Sequence, residues 1–145
     1  MRIRVGITID VPPDVAWRTV EPIENHVEWM ADAESIRFTS ARTRGTGTTF
    51  DCVTKVGPIR LTDRMTVTEW DPGRAMGIEH RGMVTGRGRF TLRRRRGGRT
   101  RFTWDERLSF PLWMGGPAGA LAAKPILRAI WRRNLRQLKA IVEAA

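Results

Sequence analysis

Apolar residues occupy every second position at the start of the chain. Ile3, Val5, Ile7, Ile9 and Val11 alternate with Arg2, Arg4, Gly6, Thr8 and Asp10, a period of two that predicts a strand with one buried face. Pro12-Pro13-Asp14 ends that strand and suits the first turn of a helix carrying Val15, Ala16, Trp17 and Val20. Pro22 breaks the helix, a second short helix is predicted from Ile23 to Ala31, and Ile36-Arg37-Phe38-Thr39 returns to strand. From there to Phe110 the pattern is strand and turn.

Residues opposed across an antiparallel ladder point to the same face, so each hairpin can be tested for register. A two-residue turn at Gly57-Pro58 pairs Val56 with Ile59, Thr54 with Leu61, Cys52 with Asp63 and Phe50 with Met65. A four-residue loop, Asp71 to Arg74, then pairs Glu69 with Met76, Val67 with Ile78 and Met65 with His80. In the last hairpin a two-residue Gly97-Gly98 turn sets Leu92 against Thr103. A three-residue loop, Gly97-Gly98-Arg99, instead sets Leu92 against Trp104 and Phe90 against Glu106, and it is preferred because the apolar faces agree.

Beyond Phe110 the character changes. Pro111, Gly115, Gly116, Pro117 and Gly119 predict a loop, unusually apolar through Leu112, Trp113 and Met114. That loop can pack under the final helix as core, gate a cavity as a lid, or touch a membrane while ligand exchanges. Leu127, Ile130, Trp131, Leu135, Leu138, Ile141 and Val142 then recur at spacings of three and four, predicting a helix from Lys124 to Ala145 with one apolar stripe. Pro125 is expected to open or kink it. The elements sum to an α+β fold, a curved antiparallel sheet wrapped around a long C-terminal helix.

Composition narrows the setting. A chain of 145 residues fits one domain, here residues 1–145. One cysteine, Cys52, permits neither an intramolecular disulfide nor a multi-cysteine zinc site, and a reducing, cytoplasmic location is expected. The N-terminal alternation does not resemble a signal peptide, and no apolar run approaches a membrane span, so a soluble protein is expected. The formal charge is +11. It is carried almost wholly by arginines spread along strands and the last helix, which a GC-rich genome explains without any polyanionic partner. A nucleic-acid or anionic-membrane partner is the alternative that the charge leaves open.

The order of elements resembles the helix-grip fold of the START and Bet v 1-like (SRPBCC) superfamily. The likeness is carried by Val11-Pro12-Pro13-Asp14-Val15-Ala16-Trp17 at the strand-to-helix junction, Trp29 in the second helix and Gly45-Thr46-Gly47. Trp70-Asp71-Pro72-Gly73-Arg74 and Leu135-Arg136-Gln137-Leu138-Lys139 extend it across the chain. Within the superfamily the chain looks similar to polyketide cyclase/dehydrase-like and lipid-transport-like proteins. The resemblance implies a cavity for apolar molecules between the sheet and the long helix, and by itself identifies no reaction.

The predicted inner face carries Phe50, Met65, Ile78, Phe90 and Trp104, but also Cys52, Asp63, His80 and Glu106. Buried acids are costly unless paired, so these polar groups either contact a ligand or reach water at strand ends. Cys52 fits a small core residue better than a nucleophile. Two histidines, His26 and His80, make a histidine-rich metal site improbable, and Gly45-Thr46-Gly47-Thr48 lacks the Lys-Ser/Thr ending of a phosphate-binding loop. Neither metal nor cofactor is expected. Arg93-Arg94-Arg95-Arg96 reads as a solvated hairpin tip.

The reading is a binding or carrier protein for a small hydrophobic molecule. Its expected ligand contacts are Trp29, Met30, Phe50, Cys52, Asp63, Met65, Ile78, His80, Phe90, Trp104, Glu106 and Trp113, with any membrane contact transient. The rival is an aromatase/cyclase-type enzyme in which His80, Asp63 or Glu106 moves protons at an enolisable carbon. No arginine or tyrosine is predicted deep on the apolar face to stabilise an enolate, which weighs against it.

Overall fold

The computed structural model describes residues 1–145. Its elements are β1 (Arg2–Ile9), α1 (Pro13–Val20), a 3₁₀ turn (Ile23–Glu28), β2 (Ala33–Phe38), β3 (Thr49–Val56), β4 (Ile59–Asp71), β5 (Ala75–Arg81), β6 (Thr85–Arg95), β7 (Arg99–Ser109), a second 3₁₀ turn (Leu112–Met114) and α2 (Gly116–Ala144). All seven strands form one antiparallel sheet in the order β1-β7-β6-β5-β4-β3-β2. The second predicted helix is thus a 3₁₀ turn that stops at Glu28, short of Ala31.

The β3–β4 register is the predicted one, from Val56 opposite Ile59 to Phe50 opposite Met65. In the β4–β5 hairpin Met65 opposes His80 and Val67 opposes Ile78 as predicted, but Glu69 opposes Gly77 and not Met76. A bulge at Thr68 is the cause. The apolar period of β4 breaks between Val67 and Trp70, and the extra residue re-phases the strand so that Trp70 opposes Met76 and meets Trp17 of α1 edge-on at 5.4 Å. Glu69 then faces outward, where it holds Arg89 through two hydrogen bonds of 2.6 and 3.0 Å.

The last hairpin also corrects the prediction. Its loop has three residues, but they are Arg96-Gly97-Gly98, so Leu92 opposes Phe102 and Phe90 opposes Trp104. Gly97 and Gly98 both take positive φ, +75° and +70°, which is why the turn settles on them and not on Arg99. The shift is two residues, an even number, so Leu92 and Trp104 still share the buried face.

α2 starts eight residues before the predicted Lys124. Pro117, not Pro125, takes the first turn, where the missing N–H costs nothing. Pro125 therefore lies inside the helix, and the carbonyl it leaves unpaired belongs to Leu121, whose side chain is exposed. The C-terminal half of α2 buries Trp131, Leu135, Leu138 and Val142 in a core shared with Ile3, Val5 and Ile9 of β1 and Phe102 and Trp104 of β7. Trp131 stacks on Trp104 at 4.7 Å. It also donates from Nε1 to Asp32 Oδ2 at 3.1 Å, while buried Asn134 donates to Asp32 Oδ1 and accepts from the Ala31 amide. This latch pins α2 to the segment before β2. No helix is long and apolar enough to cross a membrane.

Candidate functional site

Between the inner face of the sheet and α2 lies a cavity of about 220 Å³. A single water needs only roughly 10–15 Å³, so the space is of ligand size. Most of its wall is apolar, with Phe50, Met65, Ile78, Phe90 and Trp104 from the strands and Leu127 and Trp131 from α2.

One region of the wall is polar. Asp63, His80 and Glu106 project from β4, β5 and β7, and all three line the cavity. Glu106 is 6% exposed, yet it is paired: Trp104 donates from Nε1 to its Oε1 at 3.0 Å. His80 Nε2 reaches the same oxygen at 3.3 Å and comes within 2.9 Å of Oε2. The carboxylate fits because β6 carries no side chain there; Gly88 opposes Glu106 across the ladder, and a Cβ at Gly88 would overlap Glu106. Burial pulls the His80 imidazole down, but the Glu106 charge, its hydrogen bond and the more distant Asp63 charge together outweigh burial and hold it above the ordinary histidine value. Asp63 is shifted up, chiefly by desolvation, which the His80 charge and the Val84 amide oppose. Its Oδ1 is buried against Gly82 without a hydrogen-bond partner. The three groups do not form a metal-ligating cluster.

Met30, Phe50, Cys52, Asp63, Met65, Ile78, His80, Phe90, Trp104 and Glu106 all lie on the cavity wall. Two predicted contacts do not. Trp29 is 2% exposed but sits behind the wall, packed on His26, Phe90, Phe102 and Trp104. Trp113 is 66% exposed and points away, while its neighbours Phe110 and Met114 reach the cavity. The core reading of this loop therefore fails for Leu112 and Trp113, because a single 3₁₀ turn splits its side chains between cavity and solvent.

The structure adds wall residues that sequence patterning did not single out. Leu127 and Trp131 belonged to the legible stripe of the final helix, and only their role as wall was missed. His26 gave no such signal. It is 2% exposed, its Nε2 is 2.7 Å from the Val20 carbonyl, and burial lowers its pKa to about 4. It is therefore a neutral donor at physiological pH, whereas the His80 value is shifted in the opposite direction. The Cys52 thiol is pushed up to about 11 by burial, so it is not a thiolate nucleophile. Arg89 touches the wall near Gly88, but its guanidinium is engaged by Glu69 on the outer face. The wall thus offers carboxylates and imidazoles and no free interior cation of the Lys or Arg type.

Residues 1–143 match the protein family described as polyketide cyclase/dehydrase and lipid transport. No functionally curated protein matches the chain. Among solved structures, TTHA0849 from Thermus thermophilus is similar with a TM-score of 0.82 at 16% identity, covering 99% of this chain and 98% of that chain. The Zhui aromatase/cyclase from a Streptomyces species is similar with a TM-score of 0.75 at 15% identity, covering 99% and 93%. A START superfamily protein from Mycobacterium smegmatis gives 0.81 at 10% identity, covering 99% and 97%. At these identities the likeness is one of fold, the helix-grip arrangement of a sheet around a long C-terminal helix. The match over nearly all of its length places the chain in the polyketide cyclase/dehydrase and lipid-transport family.

Proposed function

We propose that the protein binds one small, largely apolar molecule between its sheet and α2 and holds it without a covalent step. The carrying observation is the cavity: about 220 Å³ walled mainly by apolar side chains, a surface that gains free energy when an apolar ligand replaces water. The single buried Cys52 fits a reducing, cytoplasmic setting, with the whole chain acting as one domain. Native mass spectrometry of the purified protein tests this. A copurified apolar adduct, or thermal stabilisation by added apolar compounds, is the expected result. A ligand-free mass together with no stabilisation by any of them overturns the reading.

A second reading, proton transfer at an enolisable carbon, is supported by the buried His80–Glu106 pair beside Asp63. The absence of tyrosine and the engagement of Arg89 outside the cavity weigh against it, since an enolate would find no phenol, Lys or Arg there and only His80 as a partner. Deuterium exchange into a simple 1,3-diketone, abolished by His80→Phe, is the outcome that would promote it.

A further inference from the structure

The outside of this protein is strongly cationic, with a formal charge of +11, but the interior of its cavity is not. The ionisable groups on the wall are Asp32, Asp63, Glu106, His26, His80 and Arg89, whose guanidinium is held by Glu69 on the outer face, besides Cys52 as an inert thiol. Asp32 is committed to Trp131 and Asn134, and His26 to the Val20 carbonyl. That leaves two carboxylates, Asp63 and Glu106, facing one imidazole with no other cation to balance them. An additional carboxylate brought in by a ligand would meet this excess of negative charge in a low-dielectric site.

The hydrogen-bonding positions are just as asymmetric. Glu106 draws the proton of His80 to Nε2 whatever the charge of the ring, because a carboxylate can only accept. Nδ1 has no protein partner and is not sealed off as a buried orphan. When the ring is charged, as the neighbouring carboxylates favour, Nδ1 carries a proton and is the open donor of the polar region.

We propose that the cavity selects a neutral apolar molecule bearing one oxygen acceptor, of the ketone or ester type, docked on His80 Nδ1, and rejects molecules that end in a carboxylate. This assignment rests on the apolar-cavity reading given above and narrows it, since it removes free fatty acids and other carboxylic acids from the candidate ligands.

Three bicyclic probes of similar shape separate the possibilities by equilibrium dialysis at pH 7: 2-acetonaphthone, 2-isopropylnaphthalene and 2-naphthoate. The ketone is expected to bind about ten- to hundredfold more tightly than the hydrocarbon, the range that one hydrogen bond to a charged group supplies. The carboxylate is expected to bind weakest. His80→Phe should erase the advantage of the ketone over the hydrocarbon. Asp63→Asn, which keeps the side-chain shape and removes a charge, should narrow the gap between ketone and carboxylate. Hydrocarbon binding equal to that of the ketone overturns this inference and leaves the apolar cavity standing, as does tightest binding of the carboxylate. Failure of all three probes overturns the cavity reading and the inference with it.

Discussion

Replacing Gly88 with Ala tests how the polar region is held. Gly88 opposes Glu106 and Ile78 in the ladder, and its backbone does not lie in the left-handed region, so alanine meets no conformational obstacle. In a strand interior the change should even gain about 0.5–1 kcal/mol. The obstacle is spatial. A Cβ there would overlap Glu106 Oε1 and stand 2.5 Å from its Cδ and 2.8 Å from Oε2. The carboxylate must move away from Trp104 Nε1, 3.0 Å distant, and from His80. Each hydrogen bond to a charged group is worth about 1.5–3 kcal/mol. Losing two, with some relaxation and the strand gain as offsets, leaves a destabilisation of about 2–4 kcal/mol, or a fall of roughly 5–15 °C in Tm for a chain of this size. His80 should also titrate lower than in the wild type, because burial remains while its main counter-charge is displaced. Thermal unfolding followed by circular dichroism and NMR titration of the His80 ring measure the two effects. Glu106→Ala supplies the control, since in that background Gly88→Ala should cost less than about 0.5 kcal/mol. Equal cost in both backgrounds, or an unchanged His80 titration, refutes the idea that Gly88 exists to seat this carboxylate.

Stability should peak near the ordinary histidine pKa, about 6.5. The folded value of His80 is raised, so its pairing contributes fully below that pH and is lost as pH rises through the folded value. The His26 value is lowered to about 4, so its contribution is present above 6.5 and about 3 kcal/mol is lost as pH falls toward 4, partly opposed by Asp63, whose value is raised. A denaturation series across pH 4–9 checks both limbs, and a His80→Phe variant with an unchanged alkaline limb would contradict the assignment. Trp104→Ala removes the cavity wall that stacks on Trp131 and should weaken 2-acetonaphthone binding at least about tenfold, beyond its own stability loss of about 3–5 kcal/mol. Arg101→Ala, on the outer face with its guanidinium on Thr8, should leave that affinity unchanged. Duplex DNA should bind the arginines of the outer face only at low salt, with affinity gone at physiological salt; submicromolar binding there, measured by fluorescence anisotropy, would make that face a functional surface.

The parts of the fold that depend on face were legible, and those that depend on count were less so. Alternation told which side chains of β6 and β7 point inward. A register error of two residues left Leu92 and Trp104 on the buried face, where an error of one would have turned them to solvent. The Thr68 bulge lay outside any two-residue rule. Its trace in the sequence was the broken period between Val67 and Trp70, which becomes decisive only once Trp17 of α1 is known to wait for Trp70. The early start of α2 was hidden by three glycines that suggested loop. Gly115 and Gly116 indeed take positive φ, +91° and +52°, at the start of the helix, whereas Gly119 stands inside it, next to the Met114 carbonyl where a Cβ would not fit.

The site was partly legible for a reason that also explains the errors. A strand pattern reports the face of a residue but not its depth behind that face, so Trp29 and Trp113 were placed at a cavity that one underlies and the other leaves. The acids were identified because a carboxylate on an apolar face requires a partner. What went unread was the matching space. Gly86 and Gly88 stand two apart on the inner face of β6, opposite Leu108 and Glu106 of β7 and His80 and Ile78 of β5. Glycine weakens a strand unless something needs the room, and here the Glu106 carboxylate fills the room at Gly88. With the hairpin register fixed at Arg96-Gly97-Gly98, the sequence alone sets that glycine against that acid. Cross-strand pairing of a glycine with a buried acid is therefore a signal in its own right, one that points to the polar region of a cavity before any side chain is placed.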